Sequence, residues 1–256
     1  MSAPKNALKH RDTSQTSLGL WLNMMSPIAS HITSQSGFDW VLIDFEHGPY
    51  DIGKLGDLLN GVAMGAATPV VRIPTNEDWI IKQVLDLGAQ SIMVPMVHSK
   101  KDAQKAVDAA KYPPEGTRGM GGAVARAADY GAVADYTETA NGEIFIIAQI
   151  ESRKAIENLS DIMAVEGIDA IFIGPADLSA DMGYSGRPEA KEVQEAIALV
   201  AQKAQEAELP FGTVAFSQAG VKAMHDLGGR FIAIGADVQI LREESKKRLM
   251  AARALD

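Results

Sequence analysis

Ionisable and amide side chains collect just past several short apolar runs. WVLID ends in Asp44 and continues as Phe45, Glu46, His47 and Gly48; VVRIP carries Arg72; IFIIAQI contains Gln149 and is followed by Glu151; AIFIG leads into Gly174, Pro175, Ala176 and Asp177. Runs built from Val, Ile and Phe have no packing reason to end repeatedly in charge, although structural ion pairs also occur at strand ends. Glu151 and Asp177 follow neighbouring runs, so their carboxylates can converge on one Mg²⁺ or Mn²⁺, with water and ligand oxygens completing the shell. Dedicated zinc sites supply three or more protein ligands. Gln149 shares a strand face with Glu151 and can orient a ligand or a bound water. Taken alone, Glu151 reads better as the start of the helix ESRKAIENL, whose N-terminal dipole favours a carboxylate.

Five histidines compete for the role of base. His10 lies in a polar opening segment, His31 and His225 fall in expected helices, and His98 follows the fourth run as a weaker candidate. His47 stands beside two acids at a strand end, an arrangement that can orient an imidazole and raise its basicity. Asp86, in VLDLGA, is a second partner for it, set against the default reading of Asp86 as an exposed surface acid. Arg72 is a permanent cation with a fixed fork of donors, suited to an enolate, carboxylate or phosphate oxygen. No lysine falls within the apolar runs, whereas a Schiff-base aldolase needs a partly desolvated one there. Carbonyl chemistry in this chain therefore calls for a metal rather than an imine.

Eight such runs recur, starting at Leu18, Trp40, Pro69, Ser91, Ile144, Ala170, Pro210 and Phe231, each apolar on both faces as buried parallel strands are. Helical spacing fills the intervals. Asn76 is placed to cap IIKQVLDLG, Ser99 with Asp102 reads as a capping box, and Ser217 opens QAGVKAMHDLGG, which the paired glycines close. Eight strand–helix alternations in 256 residues point to a single (β/α)8 TIM barrel spanning 1–256, with 1–17 as a polar lead and 238–256 as a C-terminal helix. An open doubly wound sheet could use the same units, but no GxGxxG turn follows the first strand. Two connections are long, Tyr112 to Gly142 and Leu178 to Pro188, and such segments are usually functional loops or lids. GMGG in the first reads more readily as a flexible loop than as a phosphate cradle.

Composition narrows the partners. A formal charge of −9 works against nucleic acid and anionic membranes, and the absence of cysteine removes disulfides, thiolate metal sites and cysteine nucleophiles. Neither a secretion signal nor a spanning segment is visible, which points to a cytoplasmic protein.

The stretches FDWVLIDFEHGPYD, VVRIP, VLDLGAQSIMVPMV, GTRGMGG, AQIESRKAIENL and DAIFIGPADLSADMG occur in order between about Leu18 and Asp237. Together they resemble the metal-dependent pyruvate aldolases of the 4-hydroxy-2-oxoheptanedioate aldolase type. The resemblance implies the phosphoenolpyruvate/pyruvate type of TIM barrel and a divalent cation (Mg²⁺, Mn²⁺ or Co²⁺) held by Glu151 and Asp177, with no organic cofactor. It assigns Gln149 and the Gly174–Pro175–Ala176–Asp177 turn to the keto acid, His47 to acid–base work, Asp86 to raising the basicity of His47, and Arg72 to the transition state. Asp44 and Glu46 would support these from behind. The implied reaction is reversible cleavage of 4-hydroxy-2-oxo acids to pyruvate and an aldehyde through an enolate, with oxaloacetate decarboxylation as a side activity. Arg118 and Val214 are expected at the aldehyde pocket, Arg118 for a distal carboxylate and Val214 for its size. A hexamer built from dimers, exchange of the C-terminal helix between subunits and a place in aromatic catabolism are implied as well. Two other readings compete: a malyl- or citryl-thioester lyase, which would need a basic surface for CoA, and a non-catalytic keto-acid-binding barrel, which would not need His47.

Overall fold

The computed structural model describes residues 2–254, so Met1 and the last two residues of the expected 238–256 helix lie outside the described residues. All eight runs are strands: β1 Ser17–Leu22, β2 Trp40–Asp44, β3 Thr68–Arg72, β4 Ser91–Val94, β5 Phe145–Ile150, β6 Ala170–Ile173, β7 Phe211–Val214 and β8 Phe231–Ala236. Each pairs in parallel with the next, and β8 returns to β1, which closes the barrel. The helices are α1 Pro27–Ser34, α2 Leu55–Val62, α3 Asp78–Asp86, α4 Lys100–Ala110, α5 Tyr136–Thr139, α6 Arg153–Glu157, α7 Leu159–Met163, α8 Pro175–Asp181, α9 Lys191–Glu206, α10 Gln218–Asp226 and α11 Asp237–Arg253. None is long and apolar enough to cross a membrane.

Strand residues alternate between two cores. Val41, Ile43, Val71, Ile92, Ile146 and Ile171 pack outward against the helices, while Leu42, Val70, Met93, Ile147, Phe172 and Ala233 fill the barrel. That alternation aims Asp44, Arg72, Gln149 and Gly174 inward near the strands' C-terminal ends, because each lies two residues beyond an inward-facing neighbour. At the opposite end Trp40 stacks on Phe231 with ring centroids 3.9 Å apart. A Cβ on Gly19 would collide with the Trp40 indole, so a bare backbone there gives the ring its space.

The polar lead closes this floor. Leu8 is buried among Trp40, Phe145, Ala170 and Phe231, and Asn6 donates to Ser91 Oγ (3.0 Å) and the Glu143 carbonyl (3.0 Å) while its backbone N–H meets Glu143 Oε2 (2.8 Å).

Ser99 and Ser217 cap α4 and α10 as expected. Asn76 does not cap α3: the N-cap is Glu77, without a side-chain bond, and Asn76 Nδ2 donates instead to the Asp102 carbonyl. The Tyr112–Gly142 connection is not a lid over the strand C-termini of its own chain. It joins the end of α4 to the start of β5, and both lie at the floor in a right-handed β–α–β return. The Leu178–Pro188 segment, between α8 and α9, does stay on the mouth side. In α11 only Asp237 is buried, where it accepts from the Asn23 and Met24 N–H groups, and Val238, Ile240, Leu241, Leu249 and Met250 are exposed, so beyond its first turn this helix stands away from its own barrel.

Candidate active site

The mouth gathers side chains from six strands. β2 and β3 are in register with Asp44 opposite Arg72, which sets the central pair. Arg72 Nε donates to Asp44 Oδ1 and Nη2 to Oδ2, both at 2.8 Å, and Glu46 Oε2 lies 2.7 Å from Nη1. Arg72 and Asp44 are almost wholly buried. Burial would raise the Asp44 carboxyl, but Arg72 and the backbone N–H groups of His47 and Glu46 outweigh it and hold Asp44 below the usual range. In Glu46 burial wins over the same guanidinium, and this acid is raised.

Glu151 follows β5. Its Oε1 accepts from the Met96 backbone N–H at 2.7 Å, with Met96 in the left-handed region (φ +53°), and its Oε2 accepts from Gln149 Nε2 at 2.6 Å. A Cβ at position 174 would collide with Glu151 Oε2, so Gly174 is what lets β6 approach this carboxylate. Burial is the main reason that Glu151 is pushed up to about 7; the Met96 N–H opposes it, and the charges of Glu46 and Asp177 add to it. Asp177 stands exposed in the first turn of α8. Asp44, Glu46, Glu151 and Asp177 thus gather at the mouth, and Arg72 is the one permanent cation paired with any of them among the described residues, meeting Asp44 and Glu46. Gln149 Oε1 is buried there without a hydrogen-bond partner.

His47 is exposed at the rim. Its backbone N–H meets Asp44 Oδ1, but its ring is not held by the neighbouring acids as expected, because Arg72 engages both of them. Asp86 is not a partner of His47 within the chain. It ends α3, and a helix returning along the barrel brings its C-terminal end to the floor, where Asp86 Oδ1 pairs with Arg118 Nη2 at 2.6 Å. Arg118 likewise does not line the mouth of its own barrel. It follows α4, is buried, and lies over Tyr112 with Cζ 4.4 Å from the ring centroid. Val214 ends β7 and, like Trp21, packs half-buried against the inner core. His98 has a structural tie, its Nδ1 2.8 Å from Ser152 Oγ.

Three contributors escaped the sequence reading. Trp21 lies against Arg72, and Asn23 Nδ2 donates to Asp44 Oδ2 at 2.7 Å. Both are uncharged, so a search for charged strand ends passes over them, although their two-residue spacing at the end of β1 is the available signal. The third, the Met96 N–H, is backbone and leaves no mark in residue type.

The HpcH/HpaI aldolase/citrate lyase family model matches residues 17–243. The chain belongs to that family. Hydroxypyruvate/pyruvate aldolase of Agrobacterium fabrum is 46% identical over 93% of this chain and 90% of its own length. The 4-hydroxy-2-oxo-heptane-1,7-dioate aldolase of Shigella flexneri is 43% identical over 88% of this chain and 84% of its own. An HpcH/HpaI aldolase/citrate lyase family protein from Burkholderia cenocepacia superposes with a TM-score of 0.94 at 35% identity, covering 97% of this chain and all of that one. Both named relatives are aldolases, and the chain is a carbon–carbon lyase of this kind.

Proposed function

We propose that this aldolase depends on a divalent cation at Glu151 and Asp177 and reversibly cleaves 4-hydroxy-2-oxo acids to pyruvate or hydroxypyruvate and an aldehyde. The observation that carries the metal reading is the excess of negative charge at the mouth. Four carboxylates gather there with one arginine, which pairs with Asp44 and Glu46 and leaves Glu151 and Asp177 without an ion-pair partner among the described residues, and repulsion from Glu46 and Asp177 helps to lift Glu151 to about 7. Hard oxygen donors with uncompensated charge suit Mg²⁺, Mn²⁺ or Co²⁺. The partnerless Gln149 Oε1 supports the same reading, since it offers an acceptor to a bound water.

Bound there, the cation would supply Lewis-acid stabilisation of enolate charge. The protein's own groups do the rest. The first amides of a helix have no acceptor within it, and in α8 these are the N–H groups of Ala176 and Asp177, Pro175 having none; the Ala176 amide holds the keto-acid carboxylate. His47 takes the C4 hydroxyl proton, directly or through water, as the C3–C4 bond breaks and the aldehyde leaves. Arg72 faces the charge that develops on the enolate oxygen, and protonation at C3 releases the keto acid. Oxaloacetate decarboxylation passes through the same enolate.

The deciding experiment is aldol synthesis from pyruvate and hydroxypyruvate with a panel of aldehydes, before and after EDTA. Activity is expected to vanish with chelator and return with Mg²⁺, Mn²⁺ or Co²⁺; full activity in EDTA would refute the metal reading. Borohydride with pyruvate is expected to leave the protein mass unchanged, whereas a covalent adduct would restore the imine route. The exposed apolar residues of α11 support its exchange between subunits in a hexamer built as a trimer of dimers, which light scattering would test. The acidic charge, with no cysteine, supports a cytoplasmic location without nucleic-acid or membrane partners.

A further inference from the structure

A guanidinium carries five N–H groups. In Arg72, Asp44 takes one from Nε and one from Nη2, and Glu46 lies against Nη1. One N–H on each terminal nitrogen remains, and these are the donors that a developing oxyanion can use. Asp44 approaches at the edge of the guanidinium plane through two hydrogen bonds and so resists its tilting only weakly. A face of the plane is covered by Trp21, with Arg72 Cζ 4.2 Å from the indole centroid. That indole is braced by Phe172, 6.1 Å away at 45°, and sits against the inner core. Two residues on, Asn23 steadies Asp44 at 2.7 Å, and the Asn23 backbone N–H is itself fixed by Asp237 Oδ1 at 2.9 Å. The end of β1 therefore braces both members of the Asp44–Arg72 pair.

We propose that Trp21 is a positioning residue for Arg72: its indole face holds the guanidinium plane so that the two uncommitted N–H groups stay aimed at the substrate. An aromatic face suits this task because it attracts a cation without occupying any in-plane donor. A third carboxylate would take one of the remaining N–H groups and neutralise charge that the enolate needs. The other indole inside the barrel behaves differently. Trp40 Nε1 donates to the Ser17 carbonyl at 3.3 Å, whereas Trp21 Nε1 is buried without an acceptor among the described residues.

The proposal rests on Arg72 acting in the chemistry, and a double-mutant cycle separates the two ideas. Trp21→Leu is expected to lower kcat about tenfold, with KM for the keto acid changed less than about threefold. Trp21→Phe, which keeps a ring face, is expected to stay within about threefold of the parent enzyme. In an Arg72→Ala background Trp21→Leu should cost nothing further, and thermal midpoints from circular dichroism would show that each variant is folded. Unchanged kcat in Trp21→Leu, or the same tenfold loss in the Arg72→Ala background, would overturn the proposal. Full kcat in Arg72→Ala alone would instead remove Arg72 from the mechanism, and the positioning role with it.

Discussion

The two ends of the barrel use the same residue types in opposite ways. At the floor three carboxylates each have a cation of their own: Glu143 meets Lys5 at 2.8 Å, Asp169 meets Lys9, and Asp86 meets Arg118. At the mouth four carboxylates gather with one cation, Arg72, which pairs with Asp44 and Glu46 and leaves Glu151 and Asp177 without an ion-pair partner among the described residues. Charges that are matched one to one hold a structure together. Charges left in excess leave a place for something that has yet to bind, and that imbalance distinguishes the site more surely than the presence of acids, which both ends have. The titrations follow the partners. Burial pushes against the charged form of both Glu143 and Glu151, but Lys5, the Asn6 N–H and His10 bring Glu143 below its ordinary range, while Glu151 rises to about 7. Asp169 departs from the floor pattern, since burial there outweighs Lys9 and raises it.

The comparison can be broken most directly at Arg72. Arg72→Ala is expected to lower kcat by ~10² to 10³, the scale of losing one charge-stabilising donor in a dry site. It is also expected to lower the thermal midpoint, because it leaves Asp44 buried without its cation. A variant with normal kcat and reduced stability would make the mouth resemble the floor.

A smaller effect lies in the pH dependence of stability. Glu151 has a raised folded-state pKa, so between about pH 4.5 and 7 the unfolded chain releases this proton while the folded chain keeps it. Stability therefore falls as pH rises through that window, by about 3 kcal/mol from this group. Denaturant titrations of the metal-free protein would show the slope, and Glu151→Gln should remove it. Mg²⁺ should raise the midpoint more at pH 8 than at pH 6, because the ion competes with that proton. Glu143 runs the other way: its lowered pKa contributes stability above the ordinary carboxylate range that is lost as pH falls below about 4.

The smallest effect is expected at the floor itself. Glu143→Gln weakens the bonds from Lys5, Asn6 and His10 and should cost about 1 to 3 kcal/mol in stability, with kcat within about twofold of normal. A large loss of kcat would show that the ends are coupled rather than independent.

How much of this was legible in the residues differs between the ends. Strands were readable because parallel barrel strands are apolar on both faces, and Asp44, Arg72, Gln149, Glu151 and Asp177 were readable as polar interruptions at their C-terminal ends. Asp86 and Arg118 lie away from the mouth of their own barrel, and the residues do not show this for a different reason. Their neighbours in sequence say that they belong to a helix end and a loop, but which end of the barrel they reach depends on helix length and return direction. Trp21 and Asn23 were missed because support for a charged pair can come from uncharged groups. For α11, the spacing of Val238, Leu241, Leu249 and Met250 shows an apolar stripe but does not say what covers it.

The seating of Leu8 and Asn6 in the floor also bears on how the chain is made. These residues are synthesised early, yet their neighbours include Ser91, Glu143, Phe145, Ala170 and Phe231. On the ribosome the lead has to remain unseated until β8 has emerged, some ten to forty seconds later at roughly 5 to 20 residues per second. Barrel closure and floor sealing are thus deferred to the end of synthesis, and through that interval the lead is a free, polar strand bearing one apolar anchor.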